Sequence, residues 1–349
     1  AYCNFACSYC SVTQIDQLGH ERMVSMKAHY PWSIAQQTVD TFLGLARKNG
    51  HEMVWIRFFG GEALIDWKTY RRVIEYVAEQ TDRPEVEFYL NTNGSLITPD
   101  VAEFLKRHQV RVIVSLDGVA EVNDAFRVYP SGKGTYRSVL MGLEKLREAG
   151  VEIHVSITIN RCNVDRLREA IDLAKKLGAH DVGVEDLCFV DGTSAAFTVE
   201  IERQTAAIID AWHYGREMNI PVRGSWTGFR CLPDYVGPVN YCAGNGEELC
   251  IDHEGKVFPC FGVPISIGTI GRIEECFTNP VYQAMALRVT GTIADCQGCE
   301  LEGPCGGGCA ADAFAATHDV TRVAHDKCDM RRTIARQLLT TWARNQERR

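Results

Sequence analysis

Cys3, Cys7 and Cys10 open the chain at the spacing C-x3-C-x2-C, and a loop of this kind dictates what must be built around it. Four thiolates close a cubane [4Fe-4S] cluster, whereas three leave one iron without a protein ligand and free to bind a small molecule. The competing reading of the same cysteines is zinc. Zinc sites usually take four N/S ligands in paired C-x2-C modules, and no fourth Cys or His follows this loop before His20.

Tyr9 precedes the third cysteine and gives C-x3-C-x-aromatic-C, and here the chain resembles the radical S-adenosylmethionine (radical SAM) enzymes. The resemblance implies that the amino and carboxylate groups of SAM chelate the open iron. One electron from the cluster then cleaves the sulfonium to a 5'-deoxyadenosyl radical.

The interior of the chain supplies a scaffold of matching type. From Ser33 to about residue 217, β-branched and aromatic runs alternate with amphipathic helical patterns, the signature of βα units around a parallel sheet. Strands are expected at 53–59, 86–90, 110–116, 151–159 and 181–187. The first helix is expected to open with a capping box of Ser33 and Gln36. Thr98-Pro99 reads as an N-cap and N1 pair, and Gly150 and Gly178 as helix stops. Residue 1 is Ala and the cysteine loop begins at once, so natural sequence holding a first strand and a small peptide-recognition module is expected upstream. With that strand the count is about six units, a partial (β/α)6 barrel of the radical SAM type with an open side.

At 349 residues and 46% hydrophobic, the chain can bury a sizeable core. A net charge of -8, without basic runs, argues against nucleic acid and anionic membranes as partners. No apolar stretch approaches the ~20 residues of a membrane span. The fifteen cysteines are odd in number and no apolar signal segment is present, so metal-bound thiolates in a reducing cytoplasm are expected rather than disulfides.

In α/β architectures ligands sit at the carboxyl ends of strands, and further motifs fall there. Gly60-Gly61-Glu62 resembles the GGE turn that meets the methionyl amino group of SAM, with Ala63 where many relatives have Pro. Asn91-Thr92-Asn93-Gly94 and Ser115-Leu116-Asp117-Gly118 resemble positions facing the SAM ribose and the substrate cavity. The resemblance makes Tyr9, Gly60, Gly61, Glu62, Asn93 and Ser115 the expected cofactor contacts. Each turn also reads as an ordinary Asn-Gly or Asp-Gly turn. Asn123-Asp124, Arg127 and Gly132-Lys133-Gly134-Thr135-Tyr136 resemble the SPASM-type branch of the family. Ser131 to Thr135 mimics a phosphate loop without its spacing.

Past residue 217 the chain becomes rich in Gly, Pro and Cys. Cys242, Gly255 and Cys260, then Cys296-x2-Cys299-x5-Cys305-x3-Cys309 and finally Cys328, match the seven-cysteine SPASM pattern, and Cys250 adds an eighth thiol. The family assignment gives Cys242, Cys250, Cys260 and Cys309 to one auxiliary [4Fe-4S] cluster. It gives Cys296, Cys299, Cys305 and Cys328 to a second. Two zinc sites would use the same C-x2-C grammar. Cys162, Cys188, Cys231 and Cys276 are left over and are expected to be mostly core residues, with Cys231 the candidate for redox or substrate chemistry.

The expected organisation is a radical SAM partial barrel over 1–190, bridging helix and loops over 191–235, a SPASM auxiliary-cluster domain over 236–335 and a helix end over 336–349. Enzymes with two auxiliary clusters mostly modify peptides or proteins. A ribosomal-peptide maturase that crosslinks or oxidises a side chain is therefore expected, served by a reductant such as flavodoxin or ferredoxin. Sulfatase maturases carry an Asp after the cysteine of G-x-V-x-P-C, where this chain has Phe261, which cannot take a proton. Asp117, at a strand end, is the expected proton acceptor. Alternatives are a sulfatase-maturase-like enzyme, a small-molecule alcohol dehydrogenase of the same family, and an iron-sulfur electron carrier without catalysis.

Overall fold

The computed structural model describes residues 3–10, 29–187, 197–224, 226 and 240–346. Cys188, Cys231 and His20 lie outside them. Six strands form one parallel sheet in sequential order: β1 (Met53–Phe58), β2 (Glu85–Thr92), β3 (Arg111–Ser115), β4 (Ile153–Thr158), β5 (Asp181–Glu185) and β6 (Val222–Arg223). Between them run α1 (Trp32–Lys48, ahead of β1), α2 (Trp67–Glu79), α3 (Pro99–Arg107), α4 (Ala120–Asn123), α5 (Tyr136–Glu148), α6 (Leu167–Lys176) and α7 (Ile201–Glu217). β1 and β6 do not pair, so the sheet remains an open, partial barrel.

The two faces of the sheet differ because successive side chains point to opposite sides. Phe58, Phe88, Leu90, Val112, Val114, Val155, Ile157, Val182 and Val184 are buried in the core that the helices share. The alternate positions carry Trp55, Arg57, Glu87, Tyr89, Asn91, Arg111, Ser115, His154, Ser156 and Thr158, none of them fully buried. Parallel sheets are usually covered on both faces by apolar layers. A polar second face is a cavity wall.

The first five strands coincide with the expected spans to within two residues at each end. The sixth lies at Val222–Arg223, so six strands are present among the described residues without the one expected upstream. The capping box is corrected. α1 begins at Trp32, and its N-cap is Pro31, with no side-chain cap. The chain enters this helix on Asp66, which accepts from the Tyr30 N–H at 2.6 Å. Thr98 does cap α3, accepting from Val101 N–H with Pro99 at N1, and Gly150 and Gly178 take positive φ after their helices.

After β6 comes a small antiparallel sheet of β7 (Cys250–Ile251), β8 (Lys256–Phe258) and β9 (Gly268–Thr269). Gly255, at φ +80°, makes the β7–β8 turn, and Asp252 accepts there from the N–H groups of Glu254 and Lys256. Then follow α8 (Ile273–Phe277), α9 (Pro280–Ala286), α10 (Glu302–Cys305), α11 (Ala310–Thr317) and α12 (His325–Gln346). α12 packs against α7, and its Met330, Ile334, Ala335 and Leu338 join the barrel's own core. Among the described residues no helix is long and apolar enough to cross a membrane.

Candidate active site

The cysteine loop is sewn to the carboxyl ends of the strands by its backbone and by two polar side chains. Ala6 N–H donates to Val128 O at 2.7 Å and Ser8 N–H to Phe126 O at 3.0 Å, while Phe5 packs edge-on against Tyr129. Asn4 accepts from Asn93 Nδ2 at 2.8 Å and donates to Ser95 Oγ at 2.9 Å, which ties the loop to the end of β2. Burial pushes the Cys3 thiol up to about 11 and Cys7 to about 12, the latter against the pull of Arg127. Without a cation these sulfurs stay protonated; a bound metal converts them to thiolates and releases the protons.

Glu62 clamps the GGE turn to the end of β2. Gly60 turns at φ +137°, and the Glu62 carboxylate, 3% exposed, accepts from Thr92 Oγ1 at 2.7 Å, Asn93 N–H at 2.6 Å and Leu64 N–H at 3.0 Å. Burial raises its carboxyl, partly offset by those three donors. Asn93 is likewise spent internally, since its Oδ1 accepts from both the backbone and hydroxyl of Ser95. Its neighbour two positions back, in the same strand-end motif, was not among the expected cofactor contacts. Asn91 points from β2 to the open face, and its buried Oδ1 has no hydrogen-bond partner. An unsatisfied acceptor here suits a ligand hydroxyl or amine. Ser115 lies half-buried on the same face, in register with Ser156 of β4.

Asp117 occupies the strand end where a proton acceptor was expected, but its contacts describe an anchor. It is 1% exposed, forms an ion pair with Arg127 at 3.1 Å, accepts from Thr158 N–H at 3.1 Å and accepts a hydrogen bond from the Tyr9 hydroxyl. Arg127 also lies over the Tyr9 ring. The carboxylate is saturated, and a free base would leave Arg127 buried without its partner. Tyr9 therefore holds the loop through Asp117, with its ring against Phe126 and Leu187. Leu187 and Ile159, at the ends of β5 and β4, line a cavity of about 180 Å³ that Gln204 and Lys327 also border.

The C-terminal cysteines fall into two groups. Cys260 lies within the field of Cys242, and Cys250 within that of Cys260. Cys296 lies within the fields of Cys305, Cys328 and Cys299. Burial raises the thiols of Cys242, Cys250, Cys305 and Cys328 above the ordinary value, Cys296 to about 11 and Cys260 to about 12. None of the thirteen described cysteines is in a disulfide. Among the described residues no three Cys, His, Asp or Glu side chains converge on one point fit for a single ion. Cys276 is fully buried against Val257, Ile267 and Ile270, the core role expected of it.

The second cysteine region meets the barrel mouth directly. Phe261, which follows Cys260, packs against Phe59, which precedes the GGE turn, with ring centroids 4.6 Å apart. On the other side Lys327, beside Cys328, reaches Asp186 at the end of β5 at 2.8 Å.

This arrangement is an open α/β partial barrel whose three-cysteine loop is tied to the strand ends beside a polar face of the sheet. The Radical SAM superfamily model matches residues 1–174, and the chain belongs to that superfamily, among the SPASM-type relatives of the anaerobic sulfatase maturases. Membership implies SAM and one [4Fe-4S] cluster. The radical SAM cyclopropyl synthase TigE of Paramaledivibacter caminithermalis is 26% identical over 97% of this chain and 72% of its own length. The AdoMet-dependent heme synthase of Methanosarcina barkeri is 30% identical over 74% of this chain and 78% of its own. In fold, anSMEcpe with bound AdoMet and the Cp18Cys peptide superposes with a TM-score of 0.80, at 17% identity, over 99% of this chain and 96% of that one.

Proposed function

We propose that the chain reductively cleaves SAM and uses the resulting radical to modify a side chain of a peptide or protein, by crosslinking or oxidation. The observation that carries this reading is the polar, open face of the sheet beneath the cysteine loop, with Asn91 and Ser115 on it and the second cysteine region at its rim through Phe59 and Phe261. A cluster held by Cys3, Cys7 and Cys10 would supply the electron that breaks the SAM sulfonium. Glu62 fixes the turn and strand end against which the methionyl group would lie. Tyr9, Asp117 and Arg127 hold the loop in place. Asn91 offers an acceptor to a ribose or substrate hydroxyl.

Cys242, Cys250, Cys260, Cys296, Cys299, Cys305, Cys309 and Cys328 would suit two fully ligated auxiliary clusters, which would take up the electron left when the product radical closes a bond. A structural neighbour of the same fold, which binds a peptide together with AdoMet, supports a peptide substrate. Phe261 supports a departure from sulfatase maturation, because an aromatic ring stands where an acid would deprotonate the substrate. The heme synthase relative favours a small-molecule substrate as the second reading.

The test is isotopic. Peptides encoded beside the gene, deuterated throughout, are incubated with reduced enzyme and SAM; deuterium appearing in 5'-deoxyadenosine with a matching mass change in the peptide is expected. 5'-Deoxyadenosine without deuterium from any such peptide, but with deuterium from a small alcohol or porphyrin, contradicts the peptide reading.

A further inference from the structure

Arg288, just after α9, is 2% exposed, and among the described residues no Asp or Glu stands within ion-pair distance of it. Its Nη1 donates to Val320 O at 2.5 Å and Arg322 O at 2.6 Å, and its Nη2 to Gly307 O at 2.8 Å and Gly308 O at 3.2 Å. These carbonyls satisfy donors but carry no net charge, so they do not neutralise a buried guanidinium. The Nε–H is buried and has no acceptor among the described residues. Asp319, which feels the Arg288 charge, is at the surface and is engaged by Thr321.

The missing negative charge has an evident source. Gly307 and Gly308 run between Cys305 of one cysteine group and Cys309 of the other. Asn245 links Cys242 to the same residue, donating through its backbone to Cys242 O and through Nδ2 to Arg288 O. Burial depresses the Arg288 guanidinium, and the fields of Cys309, Cys296 and Cys242 oppose that shift. The fields of three thiols, drawn from both groups, thus reach this guanidinium, as does that of Arg331, a second buried cation.

We infer that Arg288 is the shared countercharge of the two auxiliary clusters, a positioning residue that raises the reduction potential of both and offers its Nε–H to a cluster sulfur. The inference rests on the two-cluster reading proposed above. When one electron enters a cluster its negative charge rises by one, and a fixed cation nearby favours that state; no proton need move.

The experiment is a mediated potentiometric titration of the holoenzyme, followed by EPR, on wild type, Arg288→Met and Arg288→Lys. In Arg288→Met the one-electron equilibrium of both auxiliary clusters is expected to shift tenfold or more toward the oxidised state, a fall of about 59 mV. Arg288→Lys keeps the charge and loses the fork, and is expected to stay within about threefold of wild type. Loaded Arg288→Met with unmoved potentials overturns the inference, as does Arg288→Lys shifting as far as Arg288→Met. Should Arg288→Met fail to hold iron, loading by Arg288→Lys supports the role of charge, and failure of both assigns Arg288 to scaffolding. Wild type with about four irons instead of about twelve removes the auxiliary clusters themselves, and the two-cluster reading with them.

Discussion

Glu62 and Asp117 stand at motif positions that the sequence makes conspicuous, and both turn out to spend their carboxylates on the protein. The sequence gives the residue type and the strand end; it does not give the partners, because Thr92, Arg127 and Thr158 are distant in the chain and meet these acids only after the sheet has formed. Asn91 shows the converse. Its availability is legible only from what the structure leaves unpaired. A third acid, Asp181, sits at the start of β5 between His154 at 2.8 Å and Arg223 at 2.9 Å. Burial alone would raise its carboxyl, but the His154 hydrogen bond and the charges of His154 and Arg223 hold it below the usual aspartate range. A depressed value contributes stability that is complete at neutral pH and is lost as pH falls through and below about 3.9. Asp181→Asn is therefore expected to cost about 1–3 kcal/mol in denaturant unfolding at pH 7. The gap to wild type should persist at pH 5 and narrow only below about pH 4.

At the level of elements, the strand tips are kept in place by close helix approaches that forbid side chains. Gly94 turns the chain at φ +77° after β2, and a Cβ on Gly142 of α5 would lie 1.9 Å from Gly94 O. Gly142→Ala must push α5 off the turn that carries Asn93. A loss of about 1–3 kcal/mol in stability is expected from such overpacking, together with weaker SAM binding by calorimetry. Unchanged SAM affinity would mean that the turn does not shape the cofactor site. The first five strands were legible because their apolar residues alternate or run continuously over a full strand length. β6 was not, since two residues after Pro221 carry no period, and it exists only because Pro221 O and its neighbours meet β5. The Ser33 box misleads for a similar reason: Asp66, thirty-odd positions away, fixes the entry to α1 instead.

The whole molecule is held as one body by α12, whose Ile334 is 1% exposed inside the barrel core while Cys328 on the same helix belongs to the second cysteine group. Lys327 and Asp186 pin that helix to the end of β5, and Phe59 and Phe261 close the opposite rim. That a single helix would both enter the barrel core and carry Cys328 was not legible in the sequence, because its core contacts lie far away in the chain. Everything in this arrangement points to the open corner left by Cys3, Cys7 and Cys10 as the place where SAM is cleaved. The most direct measurement is 5'-deoxyadenosine released from SAM by the chemically reduced, iron-loaded chain, compared with Cys7→Ala prepared identically. The account predicts 5'-deoxyadenosine and methionine in equal amounts from wild type and none from the variant; an iron-loaded wild type that leaves SAM intact, or a variant that cleaves it as well, would contradict it.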